Sequence, residues 1–231
     1  MKAVVFDLDG TLLDTLDDLT DAVNAALYSQ AMPSRTKDEV RRMVGNGIAN
    51  LMLRAMPDER TDAVLSDIPP EDEKRNVHKR LLDSFKKYYD LHCEDNTTVY
   101  DGVTGLLKEL KKRKIKTAIV SNKADFAVTK LKEHYFGDLI DAAVGEDEAS
   151  GIRKKPAPDM VMKALDKIKV SPDEALYVGD SEVDIETAAN SHMKCISVSW
   201  GFKSREFLLS HGAQTIIDAP GELADVFLTE G

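Results

Sequence analysis

Short apolar segments alternate with amphipathic segments along most of this chain. The apolar segments are bounded by Gly, Asp, Ser or Asn, and they predict the buried strands of a parallel sheet: Ala3–Phe6, Thr117–Val120, Ala142–Val144, Ala175–Val178 and Cys195–Val198. The amphipathic segments predict helices over Val103–Arg113, Ala124–Tyr135, Ala157–Ile168 and Asp184–Ser191. Strands that alternate with helices form right-handed βαβ units. The pattern therefore predicts an α/β fold with a doubly wound, mainly parallel sheet, an edge strand at Thr215–Ile217 and a final helix near Gly221–Leu228.

The stretch from Thr15 to His92 departs from this alternation, since its pattern predicts helices and no strand. A crossover between two parallel strands needs far fewer residues. We therefore expect an all-helical domain at residues 16–94, inserted into a core domain made of residues 1–15 and 95–231. Its predicted helices are one capped by Asp14 and running through Ser29, then Lys37–Met43, Ile48–Ala55 and Glu71–Leu91.

Composition and charge narrow the function classes. The 231 residues include 31 Lys and Arg against 41 Asp and Glu, so the formal net charge is −10. An acidic protein lacks the basic field that binds nucleic acid or anionic membranes without specificity. No apolar run has the length of a membrane span, and Asp7 comes too early for a signal peptide. Two cysteines form no disulfide framework, so we expect a cytoplasmic monomer or homodimer with no nucleic-acid or membrane partner.

Four polar motifs lie at predicted junctions between a strand and a helix. Taken singly, each has a simple structural interpretation: a turn, a helix N-cap, solvated lysines, and acids at a helix start. The carboxyl ends of parallel strands meet at one edge of the sheet, however, so the four motifs should converge if the first strand is central. Carboxylate oxygens with open positions suit Mg²⁺. In chain order, the motif residues are Asp7 and Asp9, Ser121 and Asn122, Lys155, and Asp180 with Asp184.

This ordered set resembles the haloacid dehalogenase-like (HAD) hydrolase superfamily, and more closely its phosphoglycolate phosphatase-like branch with a helical, C1-type cap. The resemblance covers essentially the whole chain and rests on these segments: Phe6-Asp7-Leu8-Asp9-Gly10-Thr11-Leu12, Val44-Gly45-Asn46-Gly47, Val120-Ser121-Asn122-Lys123, Lys155-Pro156-Ala157-Pro158-Asp159, Val178-Gly179-Asp180-Ser181 and Ser199-Trp200-Gly201-Phe202. It implies a Rossmann-like core with an inserted cap.

The resemblance also implies a role for each motif. Asp7 would attack phosphorus and form an aspartyl-phosphate, and Asp9 would act as general acid and then general base. Mg²⁺ would be held by Asp7, Asp180 and the backbone carbonyl of Asp9, with Asp184 in support. The remaining implied roles are a stiffened loop at Thr11 and phosphoryl-oxygen binding by Ser121, Asn122 and Lys155.

A Mg²⁺-dependent phosphatase of a small, anionic phosphorylated metabolite is the function that this resemblance favours. Phosphoglycolate is the expected substrate, and Arg42 and Asn46 of the cap are candidates to meet its carboxylate, the alternative being an exposed helix end. An inorganic pyrophosphatase or a nucleotide or sugar phosphatase on the same scaffold remains open. So does a non-catalytic binding protein, although a binder has no need of both Asp7 and Asp9.

Overall fold

The structure is a computed structural model that describes residues 1–57, 71–147 and 151–226, and it contains a six-stranded parallel sheet. The strand order is β5-β4-β1-β6-β7-β8. The sheet strands are β1 (Ala3–Phe6), β4 (Lys116–Ala124), β5 (Ala142–Glu146), β6 (Ala175–Gly179), β7 (Lys194–Val198) and β8 (Ile216–Ile217). Two short antiparallel strands, β2 (Leu13–Asp14) and β3 (Thr98–Val99), pair outside the sheet.

The helices flank this sheet or belong to the inserted segment. In chain order they are α1 (Leu16–Tyr28), α2 (Lys37–Met43), α3 (Gly47–Ala55), α4 (Glu71–His92), α5 (Val103–Lys112), α6 (Asp125–Tyr135), α7 (Asp159–Ile168), α8 (Glu182–Asn190), α9 (Arg205–Ser210) and α10 (Pro220–Val226). None of the helices within the described residues is both long and apolar enough to cross a membrane.

Strand β1 lies between β4 and β6, so the first strand is central, as the convergence of the motifs requires, and the predicted α/β fold class is confirmed. All four residues of β1 are buried, as expected for a parallel strand covered on both faces. Ala3 and Val5 pack with Met160 and Leu165 of α7 in one apolar cluster, so by alternation Val4 and Phe6 face the other side. The sheet thus fixes where β1 ends, which is also where the first acidic motif begins.

The chain divides into two compact units, one of residues 1–14 with 98–231 and one of Thr15–Thr97. The second unit contains α1 to α4. The sequence prediction assigned residues 95–97 to the core, whereas here they belong to the helical unit, in which Asn96 and Thr97 bind Asp18. Asp14 was also expected to be the N-cap of α1. It instead lies in β2, where it pairs with Thr98, and Thr15 occupies the N-cap position.

Asp18, in the first helix of the helical unit, forms hydrogen bonds with the last residues of that unit. Its carboxylate is 2% exposed. One oxygen accepts bonds from the backbone N and Nδ2 of Asn96 at 2.9 and 3.1 Å, and the other from the backbone N and Oγ1 of Thr97 at 2.9 and 2.7 Å. A carboxylate that accepts four hydrogen bonds can be buried without a paired cation.

Replacing Asp18 with alanine should therefore destabilise the protein by about 2–3 kcal/mol, because the buried donors of Thr97 and the partly buried donors of Asn96 lose their acceptor. Urea unfolding followed by circular dichroism measures this. Asp21→Ala in the same helix, at an exposed position, is the matched control and should change stability by less than about 0.5 kcal/mol. Equal effects of the two substitutions would contradict the role given to Asp18.

The sequence pattern did not predict three of the short elements, β2, β3 and α9. The β2–β3 pair was not predicted, because two residues carry no periodic signal. Helix α9 was not predicted either, and Ser204 caps it by accepting from the backbone N of Phe207. The edge strand β8 is present, and α10 is described to Val226, so the predicted end at Leu228 lies outside the described residues.

Candidate active site

The loop after β1 carries Asp7 and Asp9 at the carboxyl edge of the sheet. The backbone N of Asp7 donates to the carbonyl of Val178 at 2.9 Å, so Asp7 continues the pairing of β1 with β6. Gly10 then turns the chain with φ of +86°, a conformation that suits glycine. This turn sets Asp7 and Asp9 next to the ends of β4 and β6.

Asp7, Asp180 and Asp184 form a buried cluster in which one carboxylate oxygen of each lies within 4.8 Å of the others. Asp180 follows β6 directly, and Asp184 lies in the first turn of α8. The structure therefore brings together the first and the last acidic motifs. Three carboxylates this close repel one another unless positive charge lies among them.

Lys155 supplies part of that charge. Its ammonium lies 2.8 Å from Asp7 Oδ1 and 2.8 Å from Asp184 Oδ1, and its side chain is 3% exposed. The side chain of Asn122 holds the Lys155 backbone on both sides, accepting from its N at 2.8 Å and donating to its O at 3.0 Å. Asn122 thus positions Lys155, in addition to any contact with phosphate.

Asp180 is packed tightly from two loops. A Cβ added to Gly10 would lie 2.4 Å from Asp180 Oδ2, and one added to Gly201 would lie 2.4 Å from Asp180 Cβ. The backbone N of Phe202 donates to Oδ2 at 2.7 Å, and Thr11 Oγ1 lies 3.5 Å from Oδ1. The Gly201-Phe202 segment therefore orients this carboxylate.

Asp184 closes a capping box at the start of α8. Its Oδ2 accepts from the backbone N and the hydroxyl of Ser181, at 3.1 and 2.6 Å. Its Oδ1, the oxygen that meets Lys155, also accepts from the hydroxyl of Tyr177 at 3.1 Å. Asp184 is fully buried and fixed by these bonds, so it holds Lys155 in place.

Lys123 is a site residue to which the sequence interpretation gave no role. Its ammonium lies 2.7 Å from Asp9 Oδ1, and its side chain is 3% exposed against 14% for Asp9. Its backbone N donates to Ser121 Oγ at 3.2 Å, so Ser121 helps to shape the turn after the apolar part of β4. A lysine in a polar motif is normally exposed, so the sequence gave no reason to expect that Lys123 is buried. The structure shows that the buried part of β4 extends as far as Lys123.

The pKa values of the acidic cluster reflect burial and crowding. Burial, and after it the charge of Asp184, raises the pKa of Asp7 from 3.8 to about 7, against the opposing effect of Lys155. The same two causes raise the pKa of Asp180 well above its ordinary value. The charges of Asp184 and Asp7 outweigh burial and raise the pKa of Lys155. The cluster is therefore short of positive charge.

Without divalent cations, Asp7 should make stability fall as the pH rises. Its carboxyl ionises near pH 4 in the unfolded chain and at about 7 in the folded one, so the folded state holds more protons between these values. Between pH 5 and pH 7 we expect Asp7 to lower the free energy of unfolding by roughly 2–3 kcal/mol. Urea unfolding of the wild type and of Asp7→Asn, both in chelator, isolates the effect; identical pH dependence in the two would contradict it.

The cluster fits a divalent cation. It offers hard carboxylate oxygens within 4.8 Å of one another, and it is short of positive charge. Asp7, Asp180 and Asp184 are the residues that would hold the ion or support it. Arg42 and Asn46 belong to the helical unit, where Arg42 is exposed in the last turn of α2 and Asn46 precedes α3; their contact with substrate stays a prediction.

Comparison with known proteins agrees with this site. A sequence profile of the haloacid dehalogenase-like hydrolase family matches residues 4–198. This chain belongs to that family. The resemblance inferred from the motifs is confirmed, because the matched range includes the Asp7 loop, Lys155 and the Asp180 turn.

Two proteins similar to this hydrolase are named phosphoglycolate phosphatase. The Rhodospirillum rubrum protein of that name is 33% identical over 225 residues, which cover 97% of this chain and 90% of the relative. The phosphoglycolate phosphatase of Vibrio vulnificus strain CMCP6 is 33% identical over 231 residues, covering 99% of this chain and 96% of the relative. The similarity therefore extends through both units.

Solved structures agree with the fold. A proposed phosphoglycolate phosphatase from Lactobacillus delbrueckii subsp. bulgaricus superposes with a TM-score of 0.86 at 38% identity, over 97% of each chain. A predicted phosphoglycolate phosphatase from Haemophilus somnus gives 0.85 at 25% identity, over 98% of each.

Proposed function

We propose that this hydrolase is a Mg²⁺-dependent phosphatase whose substrate is phosphoglycolate and whose nucleophile is Asp7. The observation that carries the proposal is the buried cluster of Asp7, Asp180 and Asp184, in which Asp7 and Asp184 contact the Lys155 ammonium. A non-catalytic binding site would not need a third buried carboxylate beside one lysine, since each buried charge is costly. The names of the relatives support a phosphatase and support phosphoglycolate as its substrate.

The first half of the reaction transfers the phosphoryl group to the enzyme. An oxygen of Asp7 attacks phosphorus, the new bond to Asp7 forms as the bond to the leaving oxygen breaks, and Asp9 gives a proton to that oxygen. Lys155 contacts Asp7 directly, so its ammonium is placed to hold a phosphoryl oxygen during the transfer. Bound Mg²⁺ would supply further positive charge to the phosphoryl oxygens.

The second half returns the enzyme to its starting state. Asp9, now ionised, removes a proton from a water molecule that attacks the phosphorus of the aspartyl-phosphate. The bond to Asp7 breaks, and inorganic phosphate leaves with its oxygen from water. Asp9 is the most exposed of the site carboxylates, and a group that exchanges protons with substrate and water needs that access.

The charge of the site explains why a cation is needed. Four carboxylates and two ammonium groups give a formal charge of −2 when all are ionised, a state that repels a phosphate dianion and that the raised pKa values of Asp7 and Asp180 make unfavourable without a cation. A divalent cation brings the sum to zero. These groups are Asp7, Asp9, Asp180, Asp184, Lys123 and Lys155.

Phosphate release from a panel of substrates tests the proposal. The panel contains phosphoglycolate, p-nitrophenyl phosphate, pyrophosphate, a nucleotide and a sugar phosphate, each with Mg²⁺ and with EDTA. We expect release that needs Mg²⁺, with the highest kcat/KM for phosphoglycolate. A wide preference for pyrophosphate would overturn the substrate assignment, and no release from any compound would favour a binding protein.

A further inference from the structure

Lys123 lies on the side of the site where the leaving group departs. Its ammonium is 2.7 Å from Oδ1 of Asp9, the residue that would protonate the leaving oxygen under the proposed function. Lys155, by contrast, contacts Asp7 and Asp184 at the phosphoryl side. Under the proposed function, Lys123 thus contacts the residue that protonates the leaving oxygen, and Lys155 contacts the nucleophile.

We propose that Lys123 determines specificity by selecting phosphate monoesters that carry a second anionic group next to the leaving oxygen, such as a carboxylate. This inference rests on the proposed function and concerns the non-phosphate part of the substrate. The group that Lys123 would bind is defined by its negative charge and by its distance from the leaving oxygen.

The distances support this assignment. A leaving oxygen that bonds to one oxygen of Asp9, while Lys123 bonds to the other, lies about 4–5 Å from the ammonium. In phosphoglycolate, the carboxylate oxygens are three bonds from the leaving oxygen, roughly 3 Å away. A carboxylate at that distance can reach the ammonium without moving the phosphoryl group. Sugar or nucleotide esters place no anion there.

The burial of Lys123 strengthens its preference for substrates with a second anion. The Lys123 side chain is 3% exposed, so its ammonium has little access to solvent. A charge that is screened little by solvent attracts a nearby anion more strongly than an exposed charge does. A substrate with a second anion gains this attraction, and a substrate without one does not.

The experiment compares phosphoglycolate with ethyl phosphate, in which a methyl group replaces the carboxylate at the same chain length. The kcat/KM ratio of the two should favour phosphoglycolate in the wild type. In Lys123→Met, kcat/KM should fall for both substrates, because Asp9 loses its contact with the Lys123 ammonium. It should fall about 10- to 100-fold more for phosphoglycolate than for ethyl phosphate, which is about the contribution of one charged hydrogen bond. Lys123→Arg should keep most of the ratio, since it restores the positive charge.

Lys116→Met is the matched control. Lys116 is also on β4 and also lies 2.7 Å from an aspartate oxygen, that of Asp141, but it is exposed at the opposite end of the strand. It should leave both kcat/KM values unchanged. Thermal unfolding of every variant shows whether it is folded, and Lys123→Gln serves in place of the methionine variant if that one is not.

The outcomes separate this inference from the proposed function. A ratio that is unchanged in Lys123→Met, or a wild type that does not prefer phosphoglycolate over ethyl phosphate, would overturn the specificity role while phosphatase activity stands. A wild type that releases phosphate from no ester would overturn both. A ratio that falls in Lys123→Met and returns in Lys123→Arg supports Lys123 as the selecting residue.

Discussion

Asp7→Asn should abolish turnover while leaving the protein folded. An amide is a poor nucleophile, so we expect kcat to fall by about 10⁴- to 10⁶-fold. The substitution keeps the size of the side chain and removes one of the crowded carboxylates, while Lys155 keeps its contact with Asp184 at 2.8 Å. Phosphate release in Mg²⁺ and thermal unfolding, measured on the same preparation, provide the check.

Asp166→Asn is a suitable control for this experiment, because the Asp166 side chain is 79% exposed and contacts Lys169 on the surface. It should retain full activity. If Asp7→Asn were as active as the control, Asp7 would not be the nucleophile.

Lys155→Met should cause the largest loss of stability at the site. Its ammonium is shared by two buried carboxylates, and removing it leaves both charges unpaired. We expect a cost of about 3–5 kcal/mol at pH 8 in the absence of divalent cations. The cost should shrink at pH 5, where Asp7 accepts a proton because its pKa is about 7.

The neighbouring Lys154 offers a control for Lys155. Its ammonium also meets one carboxylate, that of Glu146 at 3.0 Å, but its side chain is 35% exposed. Lys154→Met should therefore cost less than about 1 kcal/mol. Urea unfolding at both pH values distinguishes the two, and a pH-independent loss in Lys155→Met would show that packing, rather than charge, is what the substitution removes.

The sequence predicted the fold and the convergence of the motifs because both depend on short-range rules. A buried strand that ends in Asp7 or Asp180 places that residue at the sheet edge wherever the strands are parallel. Lys155 could be included since Pro156 fixes the approach to α7. The four motifs needed only the correct strand order to meet.

What the sequence could not predict depends on contacts between distant residues. The Lys123–Asp9 pair joins positions far apart in the chain, and the apolar pattern of β4 stops at Val120, before Lys123. The backbone N of Phe202 donates to Asp180 from a loop whose sequence motif did not predict this contact. Such contacts follow from the register and twist of a folded sheet, which periodicity does not encode.

The β2–β3 pair has a further consequence for how this chain can vary. Leu13 pairs with Val99 and Asp14 with Thr98, so the chain leaves and re-enters the core unit through one small antiparallel ladder. In effect, the whole helical unit occupies the position of a hairpin loop, and the entropic cost of closing a loop grows only slowly with its length. Evolution can therefore exchange or enlarge this insert without disturbing the strands that carry the acidic cluster. A chimera in which a relative's insert replaces residues 15–97 should accordingly retain the chemistry of the core and acquire a new range of substrates.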